Sequence, residues 1–258
     1  AGKMGGALLK GWLSNGLDPK KIVVFEPNPS DWIISLKNDG LNLNTRPKKN
    51  PQICIIALKP QMIKKVFAQN KLQYDTSTLF VSIAAGIKLE TLNDLVKGKS
   101  AIIRVMPNTP AIIQKGVSAF VENEYTTEVQ IKLVETLFAV VGKTIRLKNE
   151  EQMDAVTAIS GSGPAYVFYL IEVLSNLGLE LGLDDKLAHS LAVLTVSGAG
   201  NLAQNSSLTP CQLRENVTSP NGTTEAALNV LMNSKTGLLP VMREAVLAAC
   251  KRSKKIGC

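Results

Sequence analysis

Hydrophobic and polar positions along the chain follow two periods, and the change from one to the other divides it. Up to about Lys148, short runs rich in β-branched residues recur: KIVVFEP (21–27), QICIIAL (52–58), STLFVSIAAG (77–86), AIIRVM (101–106) and KTIRL (143–147). Each predicts a strand. The first four are almost continuously apolar, as strands are when helices cover both faces of a parallel sheet. Between them, apolar residues repeat at helical spacing in KMGGALLKGWLSNG, PSDWIISLKNDG, KPQMIKKVFAQN, KLETLNDLVKG and TEVQIKLVETLFAVVG. Many of these segments stop at Gly or Asn, which suit the end of a helix. Beyond Glu150 the strands cease. EEQMDAVTAIS, GPAYVFYLIEVLSNLGLELG, DDKLAHSLAVLTVSGAGNLAQN, TPCQLRENV, TTEAALNVLMN and TGLLPVMREAVLAACKRSKK all carry helical apolar faces. The expectation is an α/β domain over residues 1–150 and an all-α domain over 151–258, with the boundary near 148–152.

The helical half has more wide apolar faces than a slim bundle can bury. AVLTVSGAGNLA (192–203) mixes Gly, Ala and Ser, a composition that lets helices approach closely. A homodimer built through these helices is therefore expected. Asp184 and Thr209 are expected caps, the latter followed by Pro210 at the first helical position. SGSGP is expected to break one helix from the next, with Ser162 or Gly163 capping and Pro164 leading.

The bulk composition narrows the class. A chain of 258 residues, 45% apolar and 19% charged, fits a soluble globular protein with ample core. No apolar run is long enough to span a bilayer, and no secretory signal opens the chain, so a cytoplasmic location is expected. The four cysteines form no C-x-x-C pair and there is one histidine, so no metal site is expected. The net charge is +8, with basic clusters at Lys20–Lys21, Arg46/Lys48/Lys49, Lys64–Lys65 and Lys251/Arg252/Lys254/Lys255. Aromatics are only 5%, and no basic helix or stacking platform stands out. That composition favours a face for anionic small molecules, or a merely solvated surface, over nucleic-acid binding. His189 sits in the middle of a helix and is read as structural; Trp12 and Trp32 are read as packing residues.

Two stretches carry candidate chemistry. AGKMGG opens the chain, and Gly2 and Gly5 fit the second and third glycines of a G-x-G-x-x-G dinucleotide loop. The first glycine and the strand before it would then lie upstream of residue 1. Glu26, twenty-four residues after Gly2, is placed to accept hydrogen bonds from a ribose hydroxyl. Asn28, Ser30, Arg46, Lys48 and Lys49 could instead receive a 2′-phosphate, which leaves NAD and NADP both open. The second stretch, VTSPNGTTEAAL (217–228), packs hydroxyls and an Asn-Gly pair before a helical run. Its hydroxyls either cap that helix or, with the backbone N–H groups, hold a small anion.

Six stretches together resemble the pyrroline-5-carboxylate reductases: AGKMGGAL (1–8), ALKPQ (57–61), VSIAAGI (81–87), RVMPNTPA (104–111), AISGSGPAYVF (158–168) and ENVTSPNGTTEAAL (215–228). They stand in the family's order almost from end to end. SGSGPAYVF and the VTSPxGTT pattern are specific, whereas the glycine loop is not. The resemblance implies a Rossmann-type domain followed by a helical dimerisation domain. It implies reduction of 1-pyrroline-5-carboxylate to L-proline with NADPH, or with NADH, by dimers that assemble into decamers. Asn221 stands where the family has glycine, and Asn tolerates a left-handed backbone well.

The same resemblance implies roles for particular residues. Ala1, Gly2, Lys3, Met4 and Gly5 form the pyrophosphate loop, and Ala57, Lys59 and Pro60 run along the cofactor. Lys59 also reads as an ordinary charge at a helix start. Ile83, Ala84 and Ala85 leave room for the nicotinamide; Gly86 beside them reads equally as a close-packing residue. Asn108 and Thr109 offer an amide and a hydroxyl at a further strand end, and Asn216 reaches the cofactor from the helical domain. Ser219, Gly222, Thr223 and Thr224 hold the substrate carboxylate, with the Thr224 hydroxyl against the ring nitrogen as the catalytic group. Thr157 is a further candidate for the substrate pocket. The alternatives are a β-hydroxyacid dehydrogenase, which would use a lysine of the helical domain, and a non-catalytic cofactor-binding scaffold or nucleic-acid binder. No lysine occurs between Glu150 and Asp185.

Overall fold

The computed structural model describes residues 2–47, 49–69, 76–96 and 98–256; Ala1, Lys48 and Cys258 lie outside them. The chain forms two compact units. One comprises Ala1–Gly161 with Ala249–Cys258, and the other Ser162–Ala248. All the strands of the described residues belong to the first unit, and the second is helical throughout. The architecture is the α/β Rossmann type followed by helices, as the two periods of the sequence require.

In the first unit, β1 (Val23–Val24) and β2 (Asn42–Leu43) form a small parallel pair. The larger sheet runs β3 (Ile53–Ile56), β4 (Leu79–Ser82), β5 (Ile102–Met106), β6 (Gly116–Glu122) and β7 (Gly142–Arg146), in that spatial order. Strands β3, β4 and β5 are parallel; β6 runs antiparallel to β5 and parallel to β7. The expected strands are present; β1, β3, β4 and β5 are shorter than their apolar runs, and β7 is as long as its run but begins one residue earlier. Two strands, β2 and β6, were not expected. The β6 stretch GVSAFVE mixes Gly, Ser and Ala with its apolar residues, which dilutes its signal, yet nearly all of it is buried.

Alternate residues of the central strands feed opposite layers, so each strand must be apolar on both faces. Leu79 and Val81 of β4, with Ile103 and Val105 of β5, pack in one cluster. There they meet Leu8 of α1 (Lys3–Ser14) and Ile131, Val134 and Phe138 of α5 (Glu128–Ala139). Phe80 and Ile102 point the other way, towards Ile63 of α3 (Pro60–Gln69) and Leu92 of α4 (Leu89–Val96). Each fully buried side chain of this kind contributes roughly 1.5–3 kcal/mol. A third cluster joins α1 to α2 (Asp31–Ser35) through Leu9 and Leu36, with Trp12 and Trp32 packed against it. The Trp12 indole N–H donates to the Leu137 carbonyl at 2.8 Å, which satisfies its one polar atom.

After β7 the chain passes through a 3₁₀ turn (Glu150–Gln152), α6 (Met153–Val156) and a π-helical turn (Thr157–Gly161) into α7 (Gly163–Glu180). The expected break at SGSGP falls between this π turn and α7, with Ser162 in the capping position and Pro164 in the first turn of α7. Ser162 keeps helical angles and makes no side-chain cap. In the second unit, α7 packs on α8 (Asp185–Asn205). They are joined by a short turn in which Gly182 takes φ +90°. Asp184 caps α8 by accepting from the Leu187 N–H, and Thr209 forms a capping box with Gln212 at the start of α9 (Pro210–Asn216). Then come α10 (Thr223–Leu231) and α11 (Leu238–Ile256). The close approach of α7 and α8 is made by Gly178, where an added Cβ would sit 2.8 Å from the Ala188 Cβ. Gly198 and Gly200 of the expected close-packing stretch face open space in the single chain.

Candidate active site

Because β3, β4 and β5 are parallel neighbours, their carboxyl ends lie along one edge of the sheet, where α/β proteins bind their ligands. Ala57, Lys59 and Pro60 follow β3; Ile83, Ala84 and Ala85 follow β4; Asn108 and Thr109 follow β5. Lys59 and Thr109 are exposed, Ala84 and Asn108 are buried, and Ala57, Pro60, Ile83 and Ala85 are half-buried. The β4 turn is held by the Ser82 hydroxyl, which accepts from the Ala84 N–H at 3.3 Å. Gly86 adopts φ +80°, so backbone conformation accounts for glycine at this position.

Gly2 precedes α1 in an extended conformation, and no side chain caps that helix. Lys3 is exposed and Gly5 half-buried. Met4 packs its side chain against the same cluster as Ile83 and Val81, which brings the start of α1 to the β4 layer. Glu26 follows β1, in the separate small sheet. Its carboxylate accepts from the Asn28 N–H at 3.1 Å, and the Asn44 side chain clasps its backbone with two 2.9 Å hydrogen bonds. Ser30 accepts from the Ile33 N–H and so caps α2, while Arg46 and Lys49 are exposed.

The Asn108 side chain is engaged within the protein. Its carbonyl accepts from the Val117 N–H at 2.9 Å, and its amide donates to the Ser160 carbonyl at 3.2 Å. Pro164 explains the second bond. Proline has no N–H, so the helical partner that Ser160 would ordinarily find four residues on is missing. The Asn108 amide takes that place. The Thr157 hydroxyl is likewise engaged, donating to the Met153 carbonyl at 2.8 Å.

In the helical unit the turn before α10 has an unusual start. Gly222 is the N-cap, and no side-chain oxygen caps the helix. The Thr218 hydroxyl donates backwards to the Arg214 carbonyl at 2.6 Å. Asn221 takes φ +59°, the left-handed conformation anticipated for it, and its N–H donates to the Glu225 carboxylate at 2.7 Å. A side chain at residue 222 would come within 2.5 Å of the Ser219 hydroxyl oxygen. Ser219 and Thr223 are exposed, Thr224 is half-buried, and Asn216, the last residue of α9, is exposed. Of the two readings of this stretch, hydroxyl capping of α10 is therefore not what the turn does.

The sequence reading passed over one ion pair. Arg104 on β5 is 4% exposed, and its guanidinium donates to the Glu150 carboxylate at 2.7 Å. The same oxygen accepts the Leu89 N–H, the first of α4, at 2.8 Å. The available signal was a lone charge inside the apolar run AIIRVM and an acidic pair opening the helical half. On β7, Arg146 bonds Glu122 and Glu128; the hydrogen bond to Glu122 is the main influence raising its pKa above the usual arginine value. Among the described residues, no three His, Cys, Asp or Glu side chains group as a metal site.

Parallel strand ends lined by small residues, with an uncapped glycine start to the adjoining helix, define a Rossmann-type oxidoreductase with an appended helical unit. Residues 150–256 match the family model described as pyrroline-5-carboxylate reductase dimerisation. Residues 1–86 match the model described as NADP oxidoreductase, coenzyme F420-dependent. Pyrroline-5-carboxylate reductase of Pisum sativum is 38% identical over 99% of this chain and 93% of its own length. The structure of a pyrroline-5-carboxylate reductase from Coxiella burnetii has a TM-score of 0.89 at 32% identity, covering 100% of this chain and 96% of the other. That of the Plasmodium falciparum pyrroline carboxylate reductase with NADP bound has a TM-score of 0.84 at 29% identity, covering 100% and 95%. The chain belongs to the pyrroline-5-carboxylate reductase family.

Proposed function

We propose that this protein reduces 1-pyrroline-5-carboxylate to L-proline with NADPH, the last step of proline synthesis, and that NADH is the second coenzyme to assay. The observation that carries this reading is the turn 217–224, in a chain that aligns with these reductases over nearly its whole length. An uncapped helix start with adjacent hydroxyls suits a carboxylate. Ser219, Gly222, Thr223 and Thr224 supply that socket. The Thr224 hydroxyl hydrogen-bonds the ring nitrogen and relays a proton, while orientation rather than acid strength is its contribution, since a hydroxyl is a weak acid.

The first unit fits the coenzyme by its own geometry. The N–H groups at the start of α1 have no side-chain cap, and a Cβ added at Gly2 would meet nothing within 4 Å, which leaves space for a pyrophosphate. Gly2, Lys3, Met4 and Gly5, with Ala1 ahead of them, hold that group. When bound, the nicotinamide supplies the hydride. Ala57, Lys59, Pro60, Ile83, Ala84 and Ala85 line its path along the strand ends, and the family resemblance adds Asn216 to the coenzyme contacts. Asn108 acts there by shape, since its amide already serves Val117 and Ser160. The exposed Arg46 and Lys49 favour a 2′-phosphate, while Glu26 favours an unmodified ribose; the family relative from P. falciparum carries NADP.

On this reading residues 1–150 serve the coenzyme and 151–258 the substrate and the subunit contact. Apolar side chains left exposed on α7, α8 and α11 support a homodimer, and the family resemblance supports a further decamer, for which sedimentation is the test. No helix of the described residues is long and apolar enough to cross a membrane, and a cytoplasmic site of action is proposed. A β-hydroxyacid oxidation would call for a helical-domain lysine that residues 151–184 lack. The deciding assay follows NADPH and NADH absorbance with pyrroline-5-carboxylate. Consumption that depends on the imine is expected, and a folded chain that leaves NADPH untouched would overturn the proposal.

A further inference from the structure

We infer that Glu150 is a positioning residue for hydride transfer, acting through Arg104 and the first N–H of α4; this rests on the reductase reading above. Three alternate positions from β5 onwards fasten to the segment that leaves the sheet. Arg104 pairs with Glu150 at 2.7 Å, the Met106 methyl lies over Gly161, and Asn108 donates to the Ser160 carbonyl at 3.2 Å. A side chain at residue 161 would collide with Met106, so the contact is made against bare backbone. Glu150 differs from the other two fastenings because its second load reaches the loop after β4, whereas the second bond of Asn108 goes to Val117 on β6. Its Oε1 also takes the Leu89 N–H at 2.8 Å, and Leu89 closes the loop of residues 84–88. That loop begins with Ala84 and Ala85, the proposed floor of the nicotinamide site.

Stability alone is a poor account of this arrangement. Arg104 lies between Ile103 and Val105, all three buried, on a strand where an apolar side chain would pack without desolvating a charge. Replacing a buried ion pair with apolar residues of similar volume is often neutral or stabilising. What an apolar pair cannot do is accept the Leu89 N–H and fix the height of the loop against β5. One oxygen shared by a guanidinium and a helix-start N–H sets both at once, and a misplacement of about 1 Å can cost a hundredfold in rate.

The test compares the wild type with Glu150→Ala, Glu150→Gln and the double variant Arg104→Met/Glu150→Leu. Readouts are Tm, kcat, KM for imine and NADPH, and the isotope effect with NADPH deuterated at the transferred position. Glu150→Ala, which strands a buried charge, is expected to lose both Tm and kcat. The double variant is expected to recover Tm yet keep kcat about tenfold down, with a larger isotope effect and little change in the imine KM. Glu150→Gln, which retains an acceptor oxygen, is expected to rescue part of that kcat. A double variant that regains wild-type kcat together with its Tm would show Glu150 to be structural only. Should the double variant not fold, Glu150→Gln decides. A kcat above that of Glu150→Ala, measured where both are folded, supports positioning, and a kcat and isotope effect equal to those of Glu150→Ala refute it. A wild type that consumes no NADPH sinks the functional reading and this inference with it, whereas active wild type with recovered variants sinks the inference alone.

Discussion

The two units treat their apolar side chains in opposite ways. In the sheet unit Phe80, Phe120 and Phe138 are at most 1% exposed, and helices from both sides complete the layers. In the helical unit Phe168 is 61% exposed, Tyr169 66%, Leu181 84% and Leu194 68% in the single chain. Its buried residues are small ones such as Gly178, Ala188 and Ala192, at the seam between α7 and α8. A hydrophobic period therefore reports that a face must be buried, not what buries it. The sheet unit answers from within its own chain. The helical unit is left with faces suited to another copy, and a helix with such a face gains most of its stability from what it packs on.

Substitutions that separate these two cases should differ in size. The largest effect belongs in the sheet: Phe80→Ala should lower unfolding stability by about 3–5 kcal/mol. A loss below 1 kcal/mol in denaturant titration would deny that the sheet unit is self-sufficient. Phe168→Glu on α7 should instead weaken self-association about a hundredfold in sedimentation, because aromatic anchors dominate interfaces. Unchanged assembly would place the subunit contact elsewhere. Thr224→Val should reduce kcat about tenfold while Tm and assembly stay put; a wild-type rate would remove that hydroxyl from the chemistry. The smallest effect is expected at the turn before α10. Asn221→Ala, at φ +59°, should cost about 1 kcal/mol, and Asn221→Gly should cost less. An alanine variant as stable as the wild type would mean that the left-handed turn is not populated in solution.

Much of this molecule was legible before its structure. The α/β half and the helical half follow from the change of period, and the caps at Asp184 and Thr209 follow from local chemistry. The glycine start, the small residues at strand ends and the hydroxyl-rich turn could be located because each depends on neighbours a few positions away. The antiparallel β6 was not legible, since it is specified by Val121 lying against Arg104 and Ala119 against Met106 rather than by its own pattern. Nor were the internal partners of Asn108, whose amide supplies the donor that Pro164 lacks to a carbonyl 52 residues away in sequence. The Arg104–Glu150 pair spans 46 residues, and the same Glu150 oxygen reaches back 61 to Leu89. Local backbone preference and hydrophobic period are written residue by residue, so the chain alone determined them. Which buried donor meets which acceptor depends on strand register and layer packing, and only the tertiary structure decided that.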